Sequence, residues 1–383
     1  MRIKKKDNSK YLYIVAGSSG GHILPAFVLA QKWQTSNPGG EIVYLSSGKS
    51  IDKQISNSLE IEFKKRPLRL INFPAKKLWQ YPKFTTQLFL TFFKSLFYLT
   101  RQRPQLVLST GGYIAIPVCI AAKILKIPID VYELNVIPGR ATKLLASFCS
   151  KIFVTFQKCN DYFESKKKIK KKCFLSPYPV RYSEKDKLVD MQKNITFINQ
   201  LLRSRQKTFL IKEAEKLGCE GLEGEPFYSF DLNKKTIFVL GGSQGSLYIN
   251  SLFKDWILAQ KSLASKIQVI HQIGSADQNK WKNFYRSLEI PSFIFSYYDN
   301  LKNFYLISDL VISRAGAGTL FELEFFNKKS IIIPLQTRQT DHQVFNAQEM
   351  ARRNGDLFVV QKQQVSPQNL PLFSQNISNI LNL

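Results

Sequence analysis

One pattern occurs twice in this chain and limits what it can become. Residues 11–26 read YLYIVAGSSGGHILPA, and from Lys235 the chain reads KTIFVLGGSQGS and then LYINSLFKDWI. Tyr11 to Val15 are five apolar or aromatic residues in a row, as in a strand buried on both faces of a parallel sheet. Gly17, Gly20 and Gly21 then bracket two serines, so bare backbone can turn sharply and approach a ligand. From His22 the pattern is helical, with Pro25 expected in the first turn. Strand, glycine loop and helix in succession place free backbone N–H groups at a helix N-terminus, where anions bind. The plainer alternative is a tight turn with no ligand.

Two common nucleotide loops are excluded. The spacing is G-x-x-G-G-H and not G-x-G-x-x-G, and the next strand, EIVYLSS, ends in serines where a ribose-binding acid would stand. No G-K-[ST] follows, so the loop is not a P-loop.

The rest of the chain repeats the unit. Glu41 to Ser46 is expected as the second strand, and residues 51 to 70 are mixed and basic. QLVLS is a buried strand that delivers Gly111 and Gly112; AAKILK is a short helix; IPIDVYE is a strand ending at Glu133. Lys151–Phe156 and Cys173–Ser176 complete a doubly wound α/β domain over residues 1–180. Residues 181–235 are expected as a linker with a helical insertion. A second α/β domain spans 236–360, with strands in KIQVIHQIG, PSFIFSYY, DLVIS, SIIIP and DLFVV, and a terminal helix lies in 361–383. Two such domains in tandem would face a cleft, with ligands at the carboxyl ends of the strands.

Residues 73–104 combine Trp79, Tyr81, Phe84, Phe89, Phe92, Phe93 and Phe97 with Lys76, Lys77, Lys83, Lys94, Arg101 and Arg103. Two readings stay open: an internal core helix, or a helix with an apolar edge laid on an anionic membrane, exposed near Trp79 to Leu88. The net charge of +27 calls for an anionic partner, whether phosphorylated substrate, acidic lipid or nucleic acid. No recognised nucleic-acid motif appears, which argues against the last. Five scattered cysteines without C-x-x-C spacing fit reduced thiols in a cytoplasmic compartment. The apolar run after MRIKKKDNSK is short and is read as a strand and not as a signal peptide. No uncharged apolar stretch approaches the ~18 residues that a membrane span needs.

Taken in order, GSSGGHILPA, STGGYIAIP, YELN, PYPVR, GGSQGS, HQIG, SRAGAGTLFE and DHQVFNA resemble the MurG family over nearly the whole chain, apart from about 30 residues in 182–235. The resemblance implies a GT-B fold of two Rossmann-like, doubly wound parallel-sheet domains. It implies an inverting transfer of N-acetylglucosamine from UDP-GlcNAc to the C4 hydroxyl of a lipid-linked muramyl-pentapeptide, lipid I, giving lipid II. Another lipid acceptor is the alternative. A peripheral place on the cytoplasmic face of the membrane, with its anionic surface as partner, is implied too; nucleic acid, metal and cofactor are not. For the donor it points to Ser19, Gly20 and Gly21 at the diphosphate–sugar region, and to Asn135, Arg181 and Ser243. Tyr298 would meet uracil through its backbone. Ala317, Gly318, Thr319, Leu320, Phe321 and Glu322 would form the nucleoside pocket, with Glu322 on the ribose, and Gln343 would reach the sugar. ELN stands where EQN is usual, and SPYPVR where GNPVR is usual, leaving Leu134 without a polar role.

The residue chemistry runs parallel to this. No two aspartates lie two apart, so a metal-binding Asp-x-Asp pair is missing. The helix N-termini after Gly21, Gly245 and Gly318, with Arg181, can carry the charge of a departing UDP instead. Glu322 is expected in the first turn after Gly316–Gly318; its plain alternative is a solvated charge. All three histidines, His22, His271 and His342, fall in motif loops. His22 is the candidate base for the acceptor hydroxyl, with Glu133 and Asn135 orienting it or the acceptor. The alternative for His22 is hydrogen bonding without proton transfer.

Overall fold

The computed structural model describes residues 10–17, 19–49, 52, 55–56, 59, 61–68, 70–71, 78–188, 190–217, 229–242, 245–337, 341–363 and 369–382, with side chains in 190–217 described as far as Ser204. Ser243, Lys76 and Lys77 lie outside the described residues. The chain divides into two compact units, residues 1–181 and 182–383.

The first unit is a parallel sheet of β1 (Tyr11–Val15), β2 (Glu41–Ser46), β3 (Lys64–Pro67), β4 (Leu106–Ser109), β5 (Ile129–Glu133), β6 (Lys151–Val154) and β7 (Cys173–Leu175). The order is β3-β2-β1-β4-β5-β6-β7. The chain winds outward from β1 to β3, then returns to the other side of β1 at β4. Strands β1 and β4 therefore flank the reversal point, where open parallel sheets bind ligands. All five residues of β1 are buried, as the unbroken apolar run requires. The sequence reading missed β3, whose KKRP has no apolar residue to betray it. As an edge strand it needs none, and its lysines discourage pairing with another chain.

The second unit repeats the plan with β8 (Lys235–Leu240), β9 (Ile267–Gln272), β10 (Ser292–Phe295), β11 (Leu310–Ser313), β12 (Ser330–Ile332) and β13 (Phe358–Val360). The order β10-β9-β8-β11-β12-β13 puts the reversal between β8 and β11. The segment after Arg181 belongs to this unit. Its long helix, Met191–Leu217, buries Ile195 and Ile198 and packs on the helix Lys302–Ile307. Asn199 fixes it further, donating to the Phe230 carbonyl at 3.1 Å and accepting from the Phe230 N–H at 2.7 Å.

The helix Tyr81–Arg101 departs from the sequence expectation at Phe84 and beyond Leu88, where the rest of the segment is expected as core. Phe84, inside the edge expected to be exposed, is buried with Thr91, Ser95 and Leu99. It lies beside the helix Ala115–Ile124, whose buried residues include Ala115, Cys119, Ala121 and Ala122. The Ser95 hydroxyl is satisfied by the Thr91 carbonyl at 2.6 Å. The large rings are left outside: Phe89, Phe93 and Phe97 are 65%, 60% and 57% exposed, with Leu90 beside them, and Trp79 is 74% exposed. Aromatic content alone does not fix which face turns inward.

His271 is a further correction. It lies inside β9, wholly buried, and not in a ligand-facing loop. Its Nδ1 lies 2.8 Å from the Tyr285 hydroxyl and its Nε2 3.1 Å from Asn250 Oδ1. Burial pushes its pKa down to about 3 from 6.5, so the folded state holds it neutral. The unfolded chain binds this proton below pH 6.5 and the folded chain does not, so stability falls as pH falls from 6.5 toward 3. We expect His271→Gln to remove this slope: the difference in unfolding free energy between wild type and variant, measured by urea titration, narrows between pH 7 and pH 5. A gap constant with pH would show that His271 is not held neutral.

Candidate active site

In the first unit, residues after β1 meet residues after β4. Ser19 ends the extended segment and caps the helix Gly20–Ser36 through its carbonyl, which accepts from His22 and Ile23 N–H at 3.0 Å. That 17-residue helix has no acidic residue in its first turn, so no side chain there offsets its positive end. Pro25 lies in the second turn and not the first; having no N–H, it leaves the Gly21 carbonyl without its helical donor. His22 Nδ1 is 2.6 Å from the Thr110 carbonyl oxygen. A carbonyl cannot donate, so in the neutral ring the proton sits on Nδ1 and the lone pair on Nε2. The Thr110 hydroxyl answers by donating to the His22 carbonyl at 2.9 Å.

Glycines make this approach possible. A β-carbon on Gly112 would lie 2.5 Å from Gly17 Cα, and one on Gly17 would lie 2.8 Å from His22 Cδ2. Gly112 also has φ +89°, a region that side chains disfavour.

Glu133, at the end of β5, is buried. Its Oε1 accepts from both the backbone N–H and the side-chain amide of Asn135, each at 3.1 Å; its Oε2 accepts from Gly139 N–H at 2.9 Å. The carboxylate thus splints its own loop and fixes the direction of the Asn135 side chain. Leu134 is buried, which explains why an apolar residue serves where a glutamine is usual. Arg181 ends the first unit.

In the second unit, residues after β8 meet residues after β11. Ser246 caps the helix Leu247–Ala259, its Oγ accepting from Ile249 N–H at 3.3 Å. Gly245 has φ +75°, and a β-carbon there would lie 2.5 Å from Gly274 Cα. Arg314, only 9% exposed, donates to Ser246 Oγ at 2.7 Å, to the Ile333 carbonyl at 3.0 Å and to Gln363 Oε1 at 2.9 Å. Burial lowers its pKa, and among the described residues no carboxylate forms an ion pair with it. A cation beside a helix N-terminus gives these strand ends a positive potential.

The helix Ala317–Phe325 starts from Gly316, so Glu322 falls in its second turn and not its first. Ala317, Leu320 and Phe321 are buried, leaving chiefly main chain to a ligand, whereas Gly318, Thr319 and Glu322 are half-buried. Glu322 Oε2 accepts from the Tyr305 hydroxyl at 2.9 Å. Gln343 Oε1 accepts from Leu335 N–H at 3.0 Å. The Tyr298 ring packs against Phe293, Phe295 and Phe304.

Family models match both units: the N-terminal domain of glycosyltransferase family 28 over residues 12–154, and its C-terminal domain over 236–377. The chain belongs to glycosyltransferase family 28. Two relatives are named UDP-N-acetylglucosamine--N-acetylmuramyl-(pentapeptide) pyrophosphoryl-undecaprenol N-acetylglucosamine transferase. The one from Thermodesulfovibrio yellowstonii is 28% identical over 371 residues, covering 96% of this chain and 89% of its own. The one from Treponema denticola is 29% identical over 375 residues, covering 94% and 85%. The crystal structure of Acinetobacter baumannii MurG matches with a TM-score of 0.65 at 18% identity, covering 97% of this chain and 91% of that one. The likeness of fold and the MurG resemblance of the motifs therefore agree.

Three residues of this family 28 chain escaped the sequence reading. Arg314 stands inside SRAGAG, a motif read for its glycines; a cation directly after an apolar strand was the available signal. Thr110 acts through its carbonyl and Tyr305 through a partner 17 positions away, and neither leaves a sequence trace. For His22 we expect nitrogen-15 NMR of the neutral imidazole to show the hydrogen on Nδ1, the signal being assigned by its loss in His22→Gln. A hydrogen on Nε2 would rule out the Thr110 contact.

Proposed function

We propose that the chain transfers N-acetylglucosamine from UDP-N-acetylglucosamine to the C4 hydroxyl of the muramyl sugar of undecaprenyl-pyrophosphoryl-MurNAc-pentapeptide. The observation that carries the reading is the His22–Thr110 contact, because it leaves the Nε2 lone pair to act as a base at the start of the helix that follows the glycine loop. The acceptor oxygen attacks C1 of the donor sugar. The bond from C1 to the UDP oxygen breaks, its electron pair leaves with the diphosphate, and the hydroxyl proton passes to His22 Nε2. Attack opposite the leaving group inverts the anomeric centre.

The first unit supplies the base. Gly20 and Gly21 offer main-chain N–H groups at the positive end of a long helix, with Ser19 assigned there by motif, and Asn135, aimed by Glu133, supplies a polar contact. The second unit holds the nucleotide. The Leu247–Ala259 N-terminus and Arg314 favour the diphosphate, with Ser243 and Arg181 assigned there by motif. Main chain of Ala317 to Phe321 and of Tyr298 meets the nucleoside, Glu322 the ribose and Gln343 the sugar. With helix ends and arginines in this role, and no Asp-x-Asp pair in the sequence, the transfer needs no metal ion.

The acceptor's polyprenyl chain stays in the bilayer, so the enzyme comes to it, at the cytoplasmic face. Among the described residues no helix is long and apolar enough to cross a membrane. The outward rings Phe89, Phe93 and Phe97, flanked by exposed Lys94 and Arg101, suit an anionic interface.

Two outcomes test this. His22→Ala should lower turnover by about 10²- to 10⁴-fold with donor affinity little changed; turnover within tenfold of wild type would place the base elsewhere. Replacing Phe89, Phe93 and Phe97 together by serine should release the protein from anionic vesicles in flotation without lowering its Tm. Unchanged flotation would mean that the membrane contact is another surface.

A further inference from the structure

We infer that Tyr305 is a positioning residue for the donor ribose, acting through Glu322; the inference rests on the ribose role given to Glu322 above. A glutamate has three rotatable bonds, and a half-buried one on a helix samples several directions. Glu322 is restrained by the Tyr305 hydroxyl, which donates to Oε2 at 2.9 Å. The hydroxyl is itself fixed, because Tyr305 is wholly buried. Its ring stacks on Phe326 at 5.4 Å, tilts against Phe238 at 5.6 Å and meets Tyr182 edge-on at 6.4 Å.

The arrangement is directional. Phe326 follows Glu322 by four residues, so both lie on the same face of the helix Ala317–Phe325 and its end. Tyr305 grips that face twice, by its ring at Phe326 and by its hydroxyl at Glu322. The segment that follows Arg181 closes over the same cluster: Tyr182 packs on Phe326 at 4.8 Å, and the Lys187 ammonium sits 4.2 Å from the Phe325 ring centroid. Asp186 pairs with Lys302, in the helix that carries Tyr305, at 3.1 Å. A buried tyrosine hydroxyl needs an acceptor, and a main-chain carbonyl would serve. Tyr13 in the first unit takes that course, donating to the Tyr98 carbonyl. Tyr305 instead reaches a carboxylate that the motif places on the ribose. A charge-assisted bond of this kind holds one oxygen in register before the ligand arrives.

The test uses the full-length protein, with UDP and 2′,3′-dideoxy-UDP as probes in calorimetry. Tyr305→Phe keeps the ring and removes only the donor. We expect it to raise the Kd for UDP about 3- to 10-fold, in the range for loss of one hydrogen bond. The Kd for dideoxy-UDP should stay within about twofold, since that probe has no ribose hydroxyl to place. In the Glu322→Ala background Tyr305→Phe should add nothing. Replacing Tyr305 by 4-aminophenylalanine restores an N–H donor at the same point and should restore UDP affinity. Equal weakening of both probes, or no rescue by the amine, would reduce Tyr305 to a core residue. If Glu322→Ala weakens UDP but Tyr305→Phe does not, positioning alone fails. If Glu322→Ala leaves UDP affinity unchanged, the ribose reading fails and takes the inference with it.

Discussion

Backbone touching backbone at Gly17 and Gly112 is the contact on which the first unit's chemistry depends. A single β-carbon at Gly112 would fall 2.5 Å from Gly17 Cα, well inside van der Waals contact. Only with both side chains absent can the loops after β1 and β4 close on each other. That closure brings Thr110 to His22, and with it the proton to Nδ1. The apolar strands beneath do the rest: paired side by side at the reversal point, β1 and β4 deliver their loops to one edge.

The second unit solves a similar problem with different atoms. The loops after β8 and β11 are again neighbours, but they are joined by side chains, Arg314 to Ser246. Gly245 makes its close approach to Gly274, after β9. The tie that orients an imidazole in one unit becomes, in the other, a buried cation beside a helix terminus. The repeated strand–loop–helix pattern thus fixes where polar groups gather, and the residues in the loops decide whether the result handles protons or phosphate charge.

Much of this was legible in the sequence because buried parallel strands and glycine loops are local signals. Five residues of Tyr11–Val15 announce β1, and GGSQGS announces the second loop. What escaped was non-local. Nothing in QLFLTFFKSLFYL says that Thr91 and Ser95 turn inward and three phenylalanines outward; that depends on packing against elements distant in sequence, the helix Ala115–Ile124 among them. His271 looks like His22 in a motif, but one sits inside a strand and the other at a helix start. That the Glu133 oxygens bind Asn135 and Gly139 is equally invisible in YELN, since Gly139 lies six residues on. The edge strand β3 has no apolar signal at all.

The partner of His22 is a main-chain atom, and this has a genetic consequence. Where a side chain orients a histidine, any missense change at that side chain's codon can undo it; if His22 is the base proposed above, its case differs. Here every amino acid at position 110 carries the same carbonyl, so no exchange at that codon deletes the acceptor itself. The liability moves to the codon of Gly112, where even the smallest replacement, alanine, inserts an atom for which there is no room, and to that of Gly111, whose φ of +95° a side chain disfavours. Inactivating missense alleles of this loop should therefore collect at glycines and not at the residue that does the orienting.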